Sequence, residues 1–141
     1  MLGIFKRTKA KKFRTDRLRH VFSDTDPRSL DRLRQEAELA VHERPHDPMA
    51  HTALACALVA SIRAGITDDL DEDATLAEAA ATQALHLAPR NPDVMALCAP
   101  ALAFRDTATA EDLVKAASKS LRKLPPSLHL AAREGAVRPV S

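Results

Sequence analysis

Hydrophobic residues recur along most of the chain at the three- and four-residue spacings that place side chains on one face of an α-helix. In residues 30–44 the positions on that face are Leu30, Leu33, Ala37, Ala40 and Val41. Residues 48–63 are apolar on nearly every side, which predicts the most deeply buried helix. The same reasoning predicts further helices at 74–88, 93–104 and 109–124, and a short one near 127–134.

Proline marks the predicted beginnings and ends of these helices. An Asp or Asn followed by Pro opens three segments, at Asp26-Pro27, Asp47-Pro48 and Asn91-Pro92. The Asp or Asn side chain accepts hydrogen bonds from free N–H groups of the first turn, where proline loses no hydrogen bond. Helix ends are predicted before other prolines, at Arg44-Pro45, Ala88-Pro89 and Leu124-Pro125. Thr75 and Glu78 have capping-box spacing, although the acidic run before them allows a start one turn earlier.

The composition supports an all-α fold class. Of 141 residues, 27 are Ala and 18 are Leu, whereas Gly occurs three times, Phe four times, and Tyr and Trp not at all. Ala and Leu favour helices, and aromatic and β-branched residues favour strands, so an all-β or doubly wound fold is not expected. No glycine-rich phosphate-binding motif occurs.

The net charge of +2 hides a strong asymmetry between the N-terminus and the remainder. Residues 1–20 hold eight basic residues against Asp16 alone, a net charge of +7, and the other 121 residues carry −5. The basic residues of this tail are Lys6, Arg7, Lys9, Lys11, Lys12, Arg14, Arg17 and Arg19. We divide the chain into a basic tail (1–24), a helical domain (25–134) and a C-terminus expected to fray (135–141).

The role of the basic tail stays open at this point. Such tails favour anionic lipid, nucleic acid, an acidic protein, or the acidic body of the same chain. Leu18, Val21 and Phe22 form a short apolar stripe that could dock on the body. Residues 1–13 show no clean apolar stripe for a membrane surface, and no aromatic residues are interleaved for base stacking.

The motifs at the helix boundaries form an internal sequence repeat. Pro45-His46-Asp47-Pro48 matches Pro89-Arg90-Asn91-Pro92 at an offset of 44 residues. The apolar positions on either side match as well, and a weaker third copy ends at Pro125. Periods of this size are typical of helix-pair arrays, in which each unit buries its apolar face against the next.

The segment from Ala84 to Pro92 resembles the junction between successive repeats of the tetratricopeptide repeat family. Ala84 stands at the family's small residue before the closing proline, and Leu54-Ala55 fits the large–small pair of its first helix. The resemblance covers roughly residues 30–125, about two to two and a half repeats. It implies a short α-α superhelix of helix-turn-helix repeats, preceded by the basic tail.

The resemblance also implies a groove for a protein partner, formed by the first helix of each pair. Carried over by position, the groove residues are Met49, Thr52, Cys56, Val59, Asp93, Ala96, Pro100 and Ala103. They are small and mostly apolar, so the groove suits an apolar helix or an extended peptide. It could equally be filled by the ends of the chain itself, and the same residues could be ordinary core.

Catalytic, metal and cofactor sites find little support in the sequence. Pro45 and Pro48 separate the histidines at 42, 46 and 51, and no Cys or carboxylate spacing completes a zinc set. Asp69, Asp71 and Asp73 alternate as in a calcium loop, but Ala80 stands where its glutamate should be, so we interpret them as favourable charge at a helix N-terminus. Cys56 and Cys98 are expected to be buried and free. We therefore expect no enzymatic activity, no metal and no cofactor.

The predicted function is a non-catalytic protein–protein interaction module, an adaptor, scaffold or assembly factor. The alternative is a peripheral membrane or nucleic-acid tether that acts through residues 1–20. A homo-oligomer is a further expectation, because short repeat arrays expose apolar end faces. Without a signal peptide or a long apolar span in the sequence, the expected location is the cytoplasm or the membrane periphery.

Overall fold

A computed structural model describes residues 12–121 and 123–134, and all regular secondary structure within these ranges is helical. The all-α fold class is therefore confirmed. A 3-10 helix at Val21–Ser23 follows the first of seven α-helices, which are α1 (Thr15–Arg19), α2 (Pro27–Glu43), α3 (Pro48–Arg63), α4 (Leu70–Leu87), α5 (Pro92–Ala103), α6 (Thr107–Ser118) and α7 (Pro126–Glu134). The predicted frayed segment 135–141 lies outside the described residues.

The predicted Asp-Pro and Asn-Pro caps are confirmed. The Asp26 side chain accepts a hydrogen bond from the Arg28 N–H at 3.0 Å, and Asp47 accepts one from the Met49 N–H at 3.0 Å. The Asn91 side chain accepts two, from the N–H groups of the second and third residues of α5. In each case proline occupies the first helical position. Local sequence alone thus fixes where α2, α3 and α5 begin.

Helix α4 begins at Leu70, four residues before the predicted start at residue 74, in the acidic run that the sequence allowed as an earlier start. The cap is Asp69, whose side chain accepts a hydrogen bond from the Glu72 N–H at 3.1 Å. The acidic residues that follow occupy the first turn, where the helix dipole favours negative charge. Thr75 bonds back to the carbonyl of Asp71 and does not cap the helix.

Helix α3 ends in a Schellman motif at Gly65. Gly65 has φ +75°, and the N–H of Ile66 reaches back to the carbonyl of Ser61 at 3.0 Å. A left-handed backbone at this position favours glycine because it has no Cβ. The turn sends the chain from α3 back towards α4.

Helix α6 ends at Ser118, six residues before the predicted boundary at 124. The Ser118 hydroxyl donates to the carbonyl of Val114 at 2.8 Å, and a turn follows at residues 119–120. Leu124 is buried and is followed by Pro125 and by Pro126, the first residue of α7. Residues 123–125, which bring Leu124 to the core, belong to no helix.

Each helix from α2 to α7 contacts the next one in the chain. In addition α3 contacts α5, and α5 contacts α7. The three helices α3, α5 and α7 are here called the odd-helix row. Ion pairs also connect helices distant in sequence, from Arg34 of α2 to Asp73 of α4 at 3.6 Å and from Arg63 of α3 to Glu134 of α7 at 3.1 Å.

Alanine fills much of the space between helices. Ala53, Ala55 and Ala57 of α3 are fully buried, as are Ala81 and Ala84 of α4. The largest buried side chains are leucines and one isoleucine, at positions 18, 30, 33, 58, 62, 97 and 128. Because small side chains line the contacts, an added side chain finds no free volume at these sites.

Two adjacent alanines of α6 test this packing. Ala117 is 1 % exposed and Ala116 is exposed. We expect Ala117→Leu to lower the free energy of unfolding by about 1–3 kcal/mol, because the larger side chain must force its neighbours apart. Ala116→Leu should change it by less than about 0.5 kcal/mol. Chemical denaturation followed by circular dichroism measures both; equal effects would contradict the tight-packing account.

Candidate partner-binding face

The predicted groove residues lie on α3 and α5, which the structure brings into contact. Thr52, Cys56, Val59, Ala96, Pro100 and Ala103 are buried, whereas Met49 and Asp93 are partly exposed. The Cys56 thiol lies 3.5 Å from the carbonyl oxygen of Leu97, and Thr52 Oγ1 lies 3.6 Å from Cys98 Sγ. Two of the predicted groove side chains thus hold α3 and α5 together.

The odd-helix row carries a segment of the same chain on its surface. Residues 12–23, here called the N-terminal segment, include α1 and the 3-10 helix. Helix α1 contacts α5, and the 3-10 helix contacts both α3 and α7. Leu18 is fully buried, and Val21 and Phe22 are 5 % and 7 % exposed. The apolar stripe singled out in the sequence therefore docks on the body.

One ion pair fastens the N-terminal segment to α5. Arg19 donates from Nη2 to Asp93 Oδ1 at 2.7 Å, and both side chains are about three-quarters buried. Asp93 stands in the first turn of α5, where the helix dipole favours its negative charge. A partly buried, charge-assisted hydrogen bond of this kind contributes roughly 1 kcal/mol.

The start of the N-terminal segment lies against the junction of α2 and α3. Phe13 packs on the buried pair Ala40 and Ala50. With Lys12 it also lines a surface cavity that includes Met49. Each predicted groove residue that remains partly exposed is therefore beside the N-terminal segment, Met49 near Phe13 and Asp93 at Arg19.

The structure separates the predicted basic tail into different environments. Lys6, Arg7, Lys9 and Lys11 lie outside the described residues. Lys12 and Arg14 are exposed to solvent. Arg17 pairs with Glu36 of α2 at 3.7 Å, and Arg19 pairs with Asp93. At least two of the eight charges thus bind the acidic body of the same chain.

Helix α7 belongs to the face as well, and the predicted groove did not include it. It buries Leu128, Ala131 and Ala132 and packs on α5 and α6. The spacing of these three residues at i, i+3 and i+4 is the signal that could have assigned it.

Two of the further depressions on the described surface lie beside α4. One of 410 Å³ is lined mainly by acidic residues around the start of α4, where Asp69 caps the helix and Asp73 bonds to Thr67 and pairs with Arg34. The other is apolar and lies beside Leu54, Leu58 and Leu76. Leu76 is 42 % exposed there.

Burial controls the chemistry of the two cysteines. It raises the pKa of the Cys98 thiol from 9.0 to about 12, against a smaller lowering by the Thr52 hydroxyl. Burial also raises the pKa of Cys56 well above 9.0, and the nearby Cys98 adds to the increase. Both thiols are free and protonated at neutral pH, so neither is a reactive nucleophile in the folded chain.

The thiol pKa values predict a loss of stability at alkaline pH. The folded state keeps both thiols protonated to a higher pH than the unfolded chain does, so this contribution is complete below pH 9 and falls as pH rises towards 12. Between those values each thiol should lower the free energy of unfolding by up to about 1.4 kcal/mol per pH unit. Urea denaturation over this range measures the slope. The double variant Cys56→Ala/Cys98→Ala should lose it, and an unchanged slope in that variant would assign the effect to other groups.

The described residues form no metal-binding cluster: over 12–121 and 123–134, no three His, Cys, Asp or Glu side chains are close enough to hold a metal ion together. Across the same ranges no helix combines the length and apolar character needed to cross a membrane. The candidate functional surface is the face of the odd-helix row, which carries the N-terminal segment.

A search of the whole chain against protein families, curated proteins and solved structures finds no match. Functional inference consequently depends on the described residues and their geometry.

Proposed function

We propose that this protein is a non-catalytic interaction module of the tetratricopeptide-repeat type, which binds another protein through the odd-helix row. One observation carries the proposal: the row holds a short, partly helical peptide segment of its own chain. A surface that binds such a segment by three apolar side chains and one ion pair has the chemistry needed to bind a similar segment of a partner.

The packing of the helices also supports this proposal. Contacts between consecutive helices, together with α3–α5 and α5–α7 contacts, are those expected of stacked helix pairs. The buried alanines allow the close approach that such stacking needs. On this interpretation α3, α5 and α7 are the first helices of successive units.

A tether to an anionic membrane surface or to nucleic acid is the second candidate. Lys12 and Arg14 are exposed and adjoin the basic residues 1–11, so their charges are accessible to an anionic surface. The ion pairs of Arg17 and Arg19 argue against full use of the tail in this way, because those charges are already bound to the body.

Neutralising the tail separates the two functions. In the tail variant Lys6, Arg7, Lys9, Lys11, Lys12 and Arg14 are replaced by Gln, which leaves Arg17 and Arg19 in place. In a matched control variant six exposed basic residues outside the odd-helix row are replaced by Gln, namely Arg28, Arg32, Arg90, Lys115, Lys119 and Lys123. Affinity capture followed by mass spectrometry is performed with both variants and the original chain.

If the row binds the partner, both variants should retain it, and binding should persist from about 0.05 M to about 0.5 M salt because apolar contacts are not screened. A partner captured in this way should then bind the purified chain in calorimetry. Loss of every partner in the tail variant alone, with its circular dichroism unchanged, would reject the interaction-module proposal in favour of the tether.

A further inference from the structure

The N-terminal segment is attached to the odd-helix row as a ligand would be. Its buried side chains Leu18, Val21 and Phe22 face the helices, and Arg19 reaches Asp93 at 2.7 Å. Arg17, which precedes this stripe, is exposed but pairs with Glu36 of α2 at 3.7 Å, and His20 is exposed. On the row itself the contact is made by one apolar stripe and one charge, over a single stretch of chain.

The segment has little structure of its own to hold it in place. Helix α1 has five residues, and its N-cap Arg14 makes no side-chain capping bond. A helix of this length does not form in isolation, so its conformation depends on the face beneath it. The buried Arg19 Nε has no hydrogen-bond partner among the described residues. The docked state thus lacks some of the hydrogen bonds that water would provide after release.

Release of the segment would leave the following helix intact. Asp24 accepts hydrogen bonds from the Asp26 N–H at 2.9 Å and from the Ser29 hydroxyl at 2.7 Å. Asp26 itself caps α2. These bonds lie within residues 24–29, and the only backbone hydrogen bond that Asp24 makes to the segment runs from its N–H to the Val21 carbonyl at 3.0 Å. The start of α2 is thus held mainly by local bonds, so the boundary at residues 24–26 can act as a hinge.

We propose that the N-terminal segment is an intramolecular ligand that closes the odd-helix row in the free chain, and that a partner segment of the same chemistry displaces it. This inference rests on the proposed function. A tethered segment acts at an effective concentration of roughly millimolar, so it raises the apparent Kd of any competitor by the reciprocal of the open fraction. Binding is thereby restricted to partners that match the face well.

The chemistry of the face specifies the partner. The partner should present apolar side chains at the i, i+3 and i+4 spacing of Leu18, Val21 and Phe22. Next to them it should carry a basic residue directed at Asp93, as Arg19 is. An acidic residue at that place would be repelled by Asp93, which gives the face selectivity as well as affinity.

A labelled peptide tests the displacement in the full-length chain. The probe is a fluorescein-labelled peptide with the sequence of residues 12–24, and its binding is followed by anisotropy. Arg19→Glu in the chain weakens the internal docking and leaves the face unchanged, so this variant should bind the probe at least about tenfold tighter than the original chain does. Arg32→Glu, at an exposed position of α2, should bind it as the original chain does.

A second probe tests the charge requirement. The same peptide with Glu in place of its arginine at position 19 should bind the Arg19→Glu chain at least about tenfold more weakly than the native peptide. Equal affinities of the native probe for the original and Arg19→Glu chains, or no binding to either, would overturn the proposal. If light scattering shows that the Arg19→Glu chain dimerises and excludes the probe, a second copy is the occupant and the proposal is likewise wrong.

Hydrogen exchange provides a test that requires no substitution. Excess unlabelled peptide added to the original chain should speed amide exchange at residues 18–24 and leave α3 protected, because only the internal segment is released. Unchanged exchange at residues 18–24 at peptide concentrations that occupy the face would overturn the proposal. The peptide probe tests the face without any natural partner. If the peptide displaces the internal segment but the chain captures no protein, the proposed function is rejected and the inference about the internal segment is not.

Discussion

The close approach of α3 and α5 is the constraint on which the other contacts of the fold depend. Cys56 of α3 reaches a backbone carbonyl of α5, which requires small side chains at the crossing. The neighbouring alanines at positions 53, 57, 96 and 99 are almost completely buried. Since the chain has no Tyr or Trp, its core is built from many small contacts rather than a few large ones. The fold is therefore stabilised by the close approach of its helices, which the small side chains allow.

Because the core is built largely from small residues, the N-terminal segment contributes an important share of the large buried side chains. Leu18 is among the largest fully buried side chains, and Phe22 is the most buried of the described phenylalanines. Both belong to the N-terminal segment and cover helices whose own surfaces are composed largely of alanine. The N-terminal segment thus supplies large apolar side chains to a core that otherwise consists mainly of small ones. A partner that replaced the segment would have to supply equivalent apolar volume.

The predictions succeeded where local chemistry decides the outcome. Asp26, Asp47 and Asn91 each cap the helix that their Pro-containing motif predicts, and the stripe at Leu18 docks because its spacing is helical. The early end of α6 was missed because the end was predicted from Pro125, whereas the helix stops at Ser118. The pair between Arg19 and Asp93 was missed for a different reason: 74 residues separate its members, and only the folded chain brings them together. The groove positions lie on α3 and α5, and six of the eight are buried by tertiary contacts that the sequence does not show.

The ion pair between Arg63 and Glu134 has a consequence for how the helical body unfolds. A body in which each helix contacted only its neighbours in the chain would fray from its ends. Here the end of α3 is joined to the end of α7, and the 3-10 helix contacts both helices. Such contacts between helices distant in sequence couple the two ends of the described chain energetically. The helical body should consequently melt as one cooperative unit.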